Sequence, residues 1–248
     1  MMEKAMLGEL VKEEKSREIF AKVFDNRTIL ALHRLADKGY FDFVEFVVST
    51  GKEAHVFRAQ DHAGNHRAVK IYKTLASDFK KMRDYIEGDL RFKEVKKDKR
   101  ELVSQWARKE FKNLECLNRA GIRAPLPLTF SENILVMEFI GKEEAAPAMK
   151  EKPPKNPKKA RATVAEWIAL MIEKAKLVHA DLSEYNILNF NEELVLIDCG
   201  QAVLTSHPKA KEFFERDVKN MANYFSKIGL KTTENEFLEQ IRSFKGKP

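Results

Sequence analysis

The sequence has only two cysteines, Cys116 and Cys199, far apart and outside any CxxC pair. A disulfide scaffold and a cysteine-built zinc site are not expected, and both thiols fit a reducing compartment; a single bridge between them stays open. Ten glycines and eight prolines in 248 residues exclude a collagen-like or low-complexity chain. No run approaches the ~20 apolar residues of a membrane span. The most apolar window, Phe41–Val48, is short and carries charge. The opening MMEKAMLGEL lacks the apolar core and cleavage site of a secretory leader. The expectation is a soluble, cytoplasmic protein with no membrane association. What is present is enough apolar material, 44%, to build a core. The net charge of +7 permits a polyanionic partner without requiring one.

Helical spacing is expected over Glu9–Phe24 and Thr28–Lys38, separated by the turn and cap residues Asp25-Asn26-Arg27. Short β runs follow at Phe41–Val48, Ala54–Ala59 and Arg67–Tyr72, reading as an antiparallel meander with a turn at Asp61–Asn65. Residues 75–98 are charged and weakly periodic, which suits a loop with helical pieces. A long helix is expected over Glu101–Ala120, then a hairpin of Leu126–Phe130 and Ile134–Ile140. Residues 145–162 hold four of the eight prolines and six basic residues against Glu151, and read as a linker or extended loop. A helix over Thr163–Leu177, β runs at Ile187–Asn189 and Leu194–Ile197, and helices near 209–228 and 233–244 complete an α+β, two-lobed plan.

The chemistry concentrates in Val178-His179-Ala180-Asp181-Leu182-Ser183-Glu184-Tyr185-Asn186, followed by Ile197-Asp198-Cys199-Gly200. Phosphoryl transfer from ATP needs a carboxylate beside the attacking oxygen and oxygen ligands for Mg²⁺. An HxDxxxxN loop followed by a β-hairpin and an apolar-Asp-x-Gly step supplies both. Asp181 suits the carboxylate that orients the nucleophile; Asn186 and Asp198 suit the metal, and Gly200 a sharp turn. No GxGxxG or Walker-type loop is present.

Together HADLSEYNIL, IDCGQA and STGKEAHVF resemble the RIO-type atypical serine/threonine protein kinases, most closely the first branch in an archaeal-style short form. The resemblance covers roughly residues 40–245. It implies a protein-kinase-like α+β fold with a β-rich N-lobe over 41–137, a hinge at 138–141 and a mainly helical C-lobe over 142–248, preceded by a helical extension over 1–40. Lys70 matches the lysine that pairs with the α- and β-phosphates. Its partner is expected to be Glu110, with Glu101 and Glu115 as alternatives. The Ser49–Glu53 turn takes the place of a glycine-rich loop, with Ser49, Gly51 and Lys52 toward phosphate. Glu138 and Ile140 resemble backbone contacts to adenine, and Met137 the back of the pocket. Asp217 either resembles the aspartate that braces the catalytic loop or is a salt-bridged surface residue.

No Ala-Pro-Glu segment follows Gly200, so the plan is truncated and lacks an ordinary activation segment. The resemblance therefore implies ATP and Mg²⁺ (or Mn²⁺) more strongly than phosphorylation of a protein substrate. Some family members are ATPases that form a phospho-aspartate, and the resemblance implies Asp198 as the candidate acceptor here. The family acts in maturation of the small ribosomal subunit, which implies pre-ribosomal rRNA as partner. The basic runs Lys150–Arg161 and Lys93–Arg100 suit rRNA phosphates or a solvated surface equally, and no aromatic interleaves Lys150–Arg161 for base stacking. A small-molecule kinase of the aminoglycoside type and an ATP-switched assembly factor are the competing readings. His179 is expected to be structural, and His33, His55, His62, His66 and His207 to lie in turns or at the surface.

Overall fold

The computed structural model describes residues 10–14, 16, 19–20, 25–74, 82, 85–86, 88–89, 91, 98–244 and 246. Half of the helix expected over 9–24 lies outside the described residues, and residues 11–13 within it are not helical: Val11 bridges to Val44 and Lys12 N donates to Val44 O at 3.0 Å. The loop expected over 75–98 lies largely outside the described residues, as do three lysines of the 93–100 run. The chain divides into two compact units. One comprises 1–83, 94–111 and 126–145; the other comprises 84–93, 112–125 and 146–248.

The first unit is built on an antiparallel sheet. Its strands are β1 (Phe43–Thr50), β2 (Ala54–Gln60), β3 (His66–Tyr72), β4 (Pro127–Ser131) and β5 (Ile134–Glu138), in spatial order β1-β2-β3-β5-β4. Side chains alternate across a strand, so Phe57 and Ala59, Val69 and Ile71, and Ile134 and Val136 share one face. That face packs against Ile29, Leu32 and Leu35 of α1 (Asn26–Asp37) in one core. Full burial of each such side chain is worth about 1.5–3 kcal/mol. Asp25 starts α1 by accepting the Thr28 amide at 3.0 Å, as its turn composition predicts. The β2–β3 turn is locked by Asp61, which accepts the Ala63 and Asn65 amides and pairs with Arg67 at 2.6 Å. Burial pushes this carboxyl up, but Asn65, Arg67 and Ala63 together hold it below its ordinary value.

On the opposite face stands Lys70, one residue out of phase with Val69 and Ile71 and in register with Val56 and Leu135. The long helix α2 (Lys99–Arg119) spans the division between the units. In the first unit it buries Leu102, Val103, Trp106, Ala107 and Glu110, a helical spacing that puts Glu110 on its apolar stripe.

The second unit holds α3 (Pro157–Leu170), a π turn at Met171–Ala175, and β6 (Leu177–Val178) paired with β9 (Val203–Leu204). It also holds β7 (Ile187–Phe190) paired with β8 (Glu193–Leu196), α4 (Ala210–Lys227) and α5 (Glu234–Ser243). Two expectations need correction. The helix expected over 163–177 runs from Pro157 to Leu170, because Asn156 caps the Lys159 amide at 3.0 Å and Pro157 has the fixed φ of a first turn. The stretch before it is no free linker. Met149 is fully buried; its amide donates to Ile187 O at 2.8 Å, Asn189 N donates to Pro147 O, and the Tyr224 hydroxyl donates to Met149 O. Proline lacks a donor but keeps its carbonyl, so a proline-rich segment can still dock on a strand.

Two of the five histidines expected at turns or the surface are buried instead. His55 lies on β2 with Nδ1 3.2 Å from Thr50 Oγ1, and His207 stacks on Phe213. Burial, then Lys73, lowers the pKa of His55. Both cysteines are free. Among the described residues, no helix is long and apolar enough to cross a membrane.

Candidate active site

The loop after β6 turns at Ala180, whose φ of 67° lies in the left-handed region. A residue with a Cβ pays for that conformation, so it persists only where the surroundings hold it. Here α4 holds it. Ala180 N donates to Asp217 Oδ2 at 2.8 Å, Leu182 N donates to Asp217 Oδ1 at 2.9 Å, and Arg216 donates to Ala180 O. Asn220 Nδ2 adds a bond to Leu182 O at 3.2 Å. Asp181, between the two pinned amides, is thereby fixed in place.

Of the two readings for Asp217, the brace is the one with geometry behind it, since the residue is 3% exposed and both oxygens accept backbone amides. Burial pushes its carboxyl up to about 7 against the pull of those amides and Arg216. An acid whose folded value lies above its unfolded one stabilises fully below the unfolded value and loses that contribution as pH rises through the folded one. Asp217→Asn keeps one acceptor but turns an amide donor toward a backbone N–H. We expect it to cost about 2 kcal/mol of stability. The variant should also flatten the urea midpoint between pH 4 and 7, where the wild type should decline; parallel curves would contradict this.

Asn186 closes the loop. Its Nδ2 donates to Asp181 O at 2.8 Å and approaches Asp181 Oδ2 at 3.3 Å, which leaves Oδ1 as an oxygen donor. The chain then runs through β7 and β8 and returns, with Ile197 N donating to Asn186 O at 2.9 Å and His179 Nε2 3.2 Å from Ile197 O. His179 thus ties the loop to the strand that leads into Asp198. Asp198 is exposed and left-handed (φ 57°, ψ 57°), a conformation that Asp tolerates better than most residues. Gly200 sits in the turn expected after Asp198, the 3₁₀ turn Cys199–Gln201, but the left-handed conformation belongs to Asp198 and not to the glycine. That turn is held by Asn113 of α2, whose Nδ2 donates to Cys199 O at 2.8 Å and Ala202 O at 3.0 Å. Burial, then the charge of Asp198, raises the pKa of half-buried Asp181, while Arg216 and Asn186 oppose the rise. Two carboxylates therefore act on each other beside one amide oxygen, a donor set that suits Mg²⁺ completed by substrate phosphates.

In the first unit, Lys70 Nζ lies 2.9 Å from both Glu110 oxygens, with Glu110 1% exposed. The alternatives are engaged elsewhere: Glu101 accepts from Gln105, and Glu115 pairs with Arg119. Ser49, near the end of β1 and paired with Val56, is exposed, as are Gly51 and Lys52 in the β1–β2 turn. The Gly51 amide donates to Ala54 O and its carbonyl accepts from Lys73 Nζ. Met137 pairs across the sheet with Ala68 and Pro127. The Glu138 amide and carboxylate both engage Leu126, and Ile140 is buried just beyond β5. Sequence reading passed over Asn113 and Arg216. Only Arg216 had a signal, its place beside Asp217.

A family profile describing the RIO domain matches residues 55–237. The chain is 42% identical over 237 residues to the RIO-type serine/threonine-protein kinase Rio1 of Haloferax volcanii, covering 95% of this chain and 81% of that one. It is 36% identical over 220 residues to the human serine/threonine-protein kinase RIO1, covering 87% of this chain and 39% of that one, so it spans about two fifths of that relative. The fold matches the Rio2 kinase of Chaetomium thermophilum in its ADP/Mg²⁺-phosphoaspartate complex, with TM-score 0.67 and 24% identity over 89% of this chain and 67% of that one. The kinase-like, two-lobed α+β class is thus the observed fold, and the chain belongs to the RIO family of serine/threonine-protein kinases.

Proposed function

We propose that this chain transfers the γ-phosphoryl group of Mg-ATP, as a serine/threonine kinase and as an ATPase through a phospho-aspartate, in maturation of the small ribosomal subunit. The observation that carries the reading is the loop braced by Asp217, with Asp181 and Asn186 bonded to each other and Asp198 acting electrostatically on Asp181. Asn186 Oδ1 and the Asp198 carboxylate would hold the metal, and bound Mg²⁺ would neutralise phosphate charge. Lys70, oriented by Glu110, pairs with the α- and β-phosphates; Ser49, Gly51 and Lys52 border them. Glu138 and Ile140 offer backbone groups to adenine, with Met137 behind it. Mn²⁺ is an alternative metal.

Asp181 aligns the acceptor oxygen. In the kinase reaction a serine or threonine hydroxyl attacks the γ-phosphorus, its proton passes to Asp181, and ADP leaves. In the ATPase reaction an Asp198 oxygen attacks and ADP leaves. Water activated by Asp181 then cleaves the acyl phosphate. The Chaetomium Rio2 structure is a complex with ADP, Mg²⁺ and phosphoaspartate, which favours this second route. The partners we propose are pre-ribosomal particles and their rRNA, met by the basic residues of 150–161, and a protein substrate. The two free thiols suit the cytoplasm as location.

The test follows γ-³²P from ATP in wild type, Asp181→Ala and Asp198→Ala, with and without small-subunit particles. We expect hydroxylamine-labile label on the protein that disappears in Asp198→Ala, and phosphate release stimulated by particles. Hydroxylamine-stable label on serine or threonine alone would reduce the reading to kinase chemistry, and undiminished turnover by Asp198→Ala would remove Asp198 both as acceptor and as metal ligand. No turnover in any condition would refute it.

A further inference from the structure

We infer that Arg58 is the positioning residue for adenine recognition, a cationic clamp that fixes the backbone following β5 at the height the nucleobase needs. The inference rests on the nucleotide reading above and adds to it a residue outside every motif named so far.

Arg58 sits on β2 and is 7% exposed. Its guanidinium grips Glu45 of β1 with two contacts, Nε to Oε2 at 2.6 Å and Nη2 to Oε1 at 3.1 Å. The remaining nitrogen, Nη1, donates to the carbonyl oxygens of Lys142, at 3.3 Å, and of Glu143. The flat cation lies 4.4 Å from the Phe46 ring centroid and 5.9 Å from that of Phe139. One buried charge therefore joins two strands of the sheet to the turn that begins where β5 ends.

That turn is itself stiff. Gly141 has φ of 155°, and a Cβ there would come 2.2 Å from Glu144 O, so only glycine fits. Lys142 N donates to Glu144 O at 3.1 Å, and Gly141 bridges to Ala145. Glu138 is fixed at the other end by its register with Arg67 and its bond to Leu126 O. Glu138 and Ile140 are thus held between two anchors, the sheet register before them and Arg58 after them. Adenine recognition by a backbone carbonyl and amide depends on their spacing, and a small displacement costs disproportionately. Lysine cannot replace this arginine. Its single ammonium cannot meet both carboxylate oxygens and two carbonyls at once.

The test uses Arg58→Met, which retains packing volume between the two rings, with Arg58→Lys and Glu45→Gln beside it. Adenosine and inorganic tripolyphosphate are the probes, since the first reads the hinge and the second reads the phosphate groups. We expect Arg58→Met to weaken adenosine binding and raise KM for ATP about tenfold, with kcat within about twofold and tripolyphosphate binding unchanged. Arg58→Lys should fail to rescue, and Glu45→Gln should show a smaller loss of the same kind. Wild-type adenosine affinity in folded Arg58→Met would overturn the clamp, as would an equal loss of both probes. If Arg58→Met does not fold, Glu45→Gln decides by the same split: an unchanged adenosine affinity there overturns it. A wild type that binds neither adenosine nor ATP sinks the nucleotide reading and the clamp with it. Wild-type binding with indifferent variants sinks the clamp alone.

Discussion

Replacing Asp181 by alanine is expected to lower kcat for γ-phosphoryl transfer about 10³-fold, in the range found for removal of a positioned general base. KM for ATP should move by no more than about threefold, because no substrate-binding group is lost. Thermal stability should hold. The side chain is half-buried, and the Asn186 amide keeps its 2.8 Å bond to the Asp181 backbone carbonyl after truncation. The pH dependence has a definite sign. Burial and the neighbouring Asp198 raise the pKa of this carboxyl, so the acid limb of the rate should lie above the ordinary carboxylate value of 3.8. Below it the base is protonated and the rate falls. Steady-state kinetics on the two proteins check both statements, and a kcat within about threefold of wild type would remove Asp181 from the mechanism.

The second large effect concerns Lys70 and Glu110, and it separates stability from activity. Lys70→Met strips the lysine from a carboxylate that is 1% exposed. Breaking one side of such a pair costs about 3–5 kcal/mol, because a charge stays buried without its counterion. The double variant Lys70→Met/Glu110→Leu removes both charges and continues the buried apolar stripe of α2 that carries Val103, Trp106 and Ala107. Buried pairs replaced in this way are often neutral in stability. We therefore expect the double variant to recover most of the loss in urea unfolding while phosphoryl transfer stays at least about 10²-fold down, since the cation on the phosphates is gone. Equal stability of single and double variants would show that the pair does not behave as a unit. Recovery of activity along with stability would show that Lys70 has only a structural role.

What the sequence made legible was what is local. Asp181, Asn186 and Asp198 lie within eighteen consecutive positions, and their loop, hairpin and turn are fixed by short-range bonds such as Asn186 to Asp181 and Ile197 to Asn186. The meander was equally readable, because β1, β2 and β3 pair in chain order through short turns. Long-range braces were not. Asn113 and Arg58 act on backbone carbonyls more than eighty positions away. A side chain that bonds to backbone leaves no complementary residue type at the other end. Composition also misled at 145–162. Lysine and proline read as solvent-seeking, yet Ala146, Met149 and Ala160 are buried, and Asn156-Pro157 was a helix start in plain view. The same holds for His55 and His207, expected in turns or at the surface, which strand pairing and aromatic stacking bury.

The central claim is that Asp198 and Asn186 hold the metal of a nucleotide complex, and titration calorimetry of ATP with Mg²⁺ or with EDTA tests it most directly. In the wild type Mg²⁺ should tighten ATP binding at least about tenfold, equivalent to ~1.4 kcal/mol. Asp198→Asn should keep metal-free binding and lose that gain. Equal affinities with Mg²⁺ and EDTA in the wild type, or an undiminished gain in Asp198→Asn, would contradict the account.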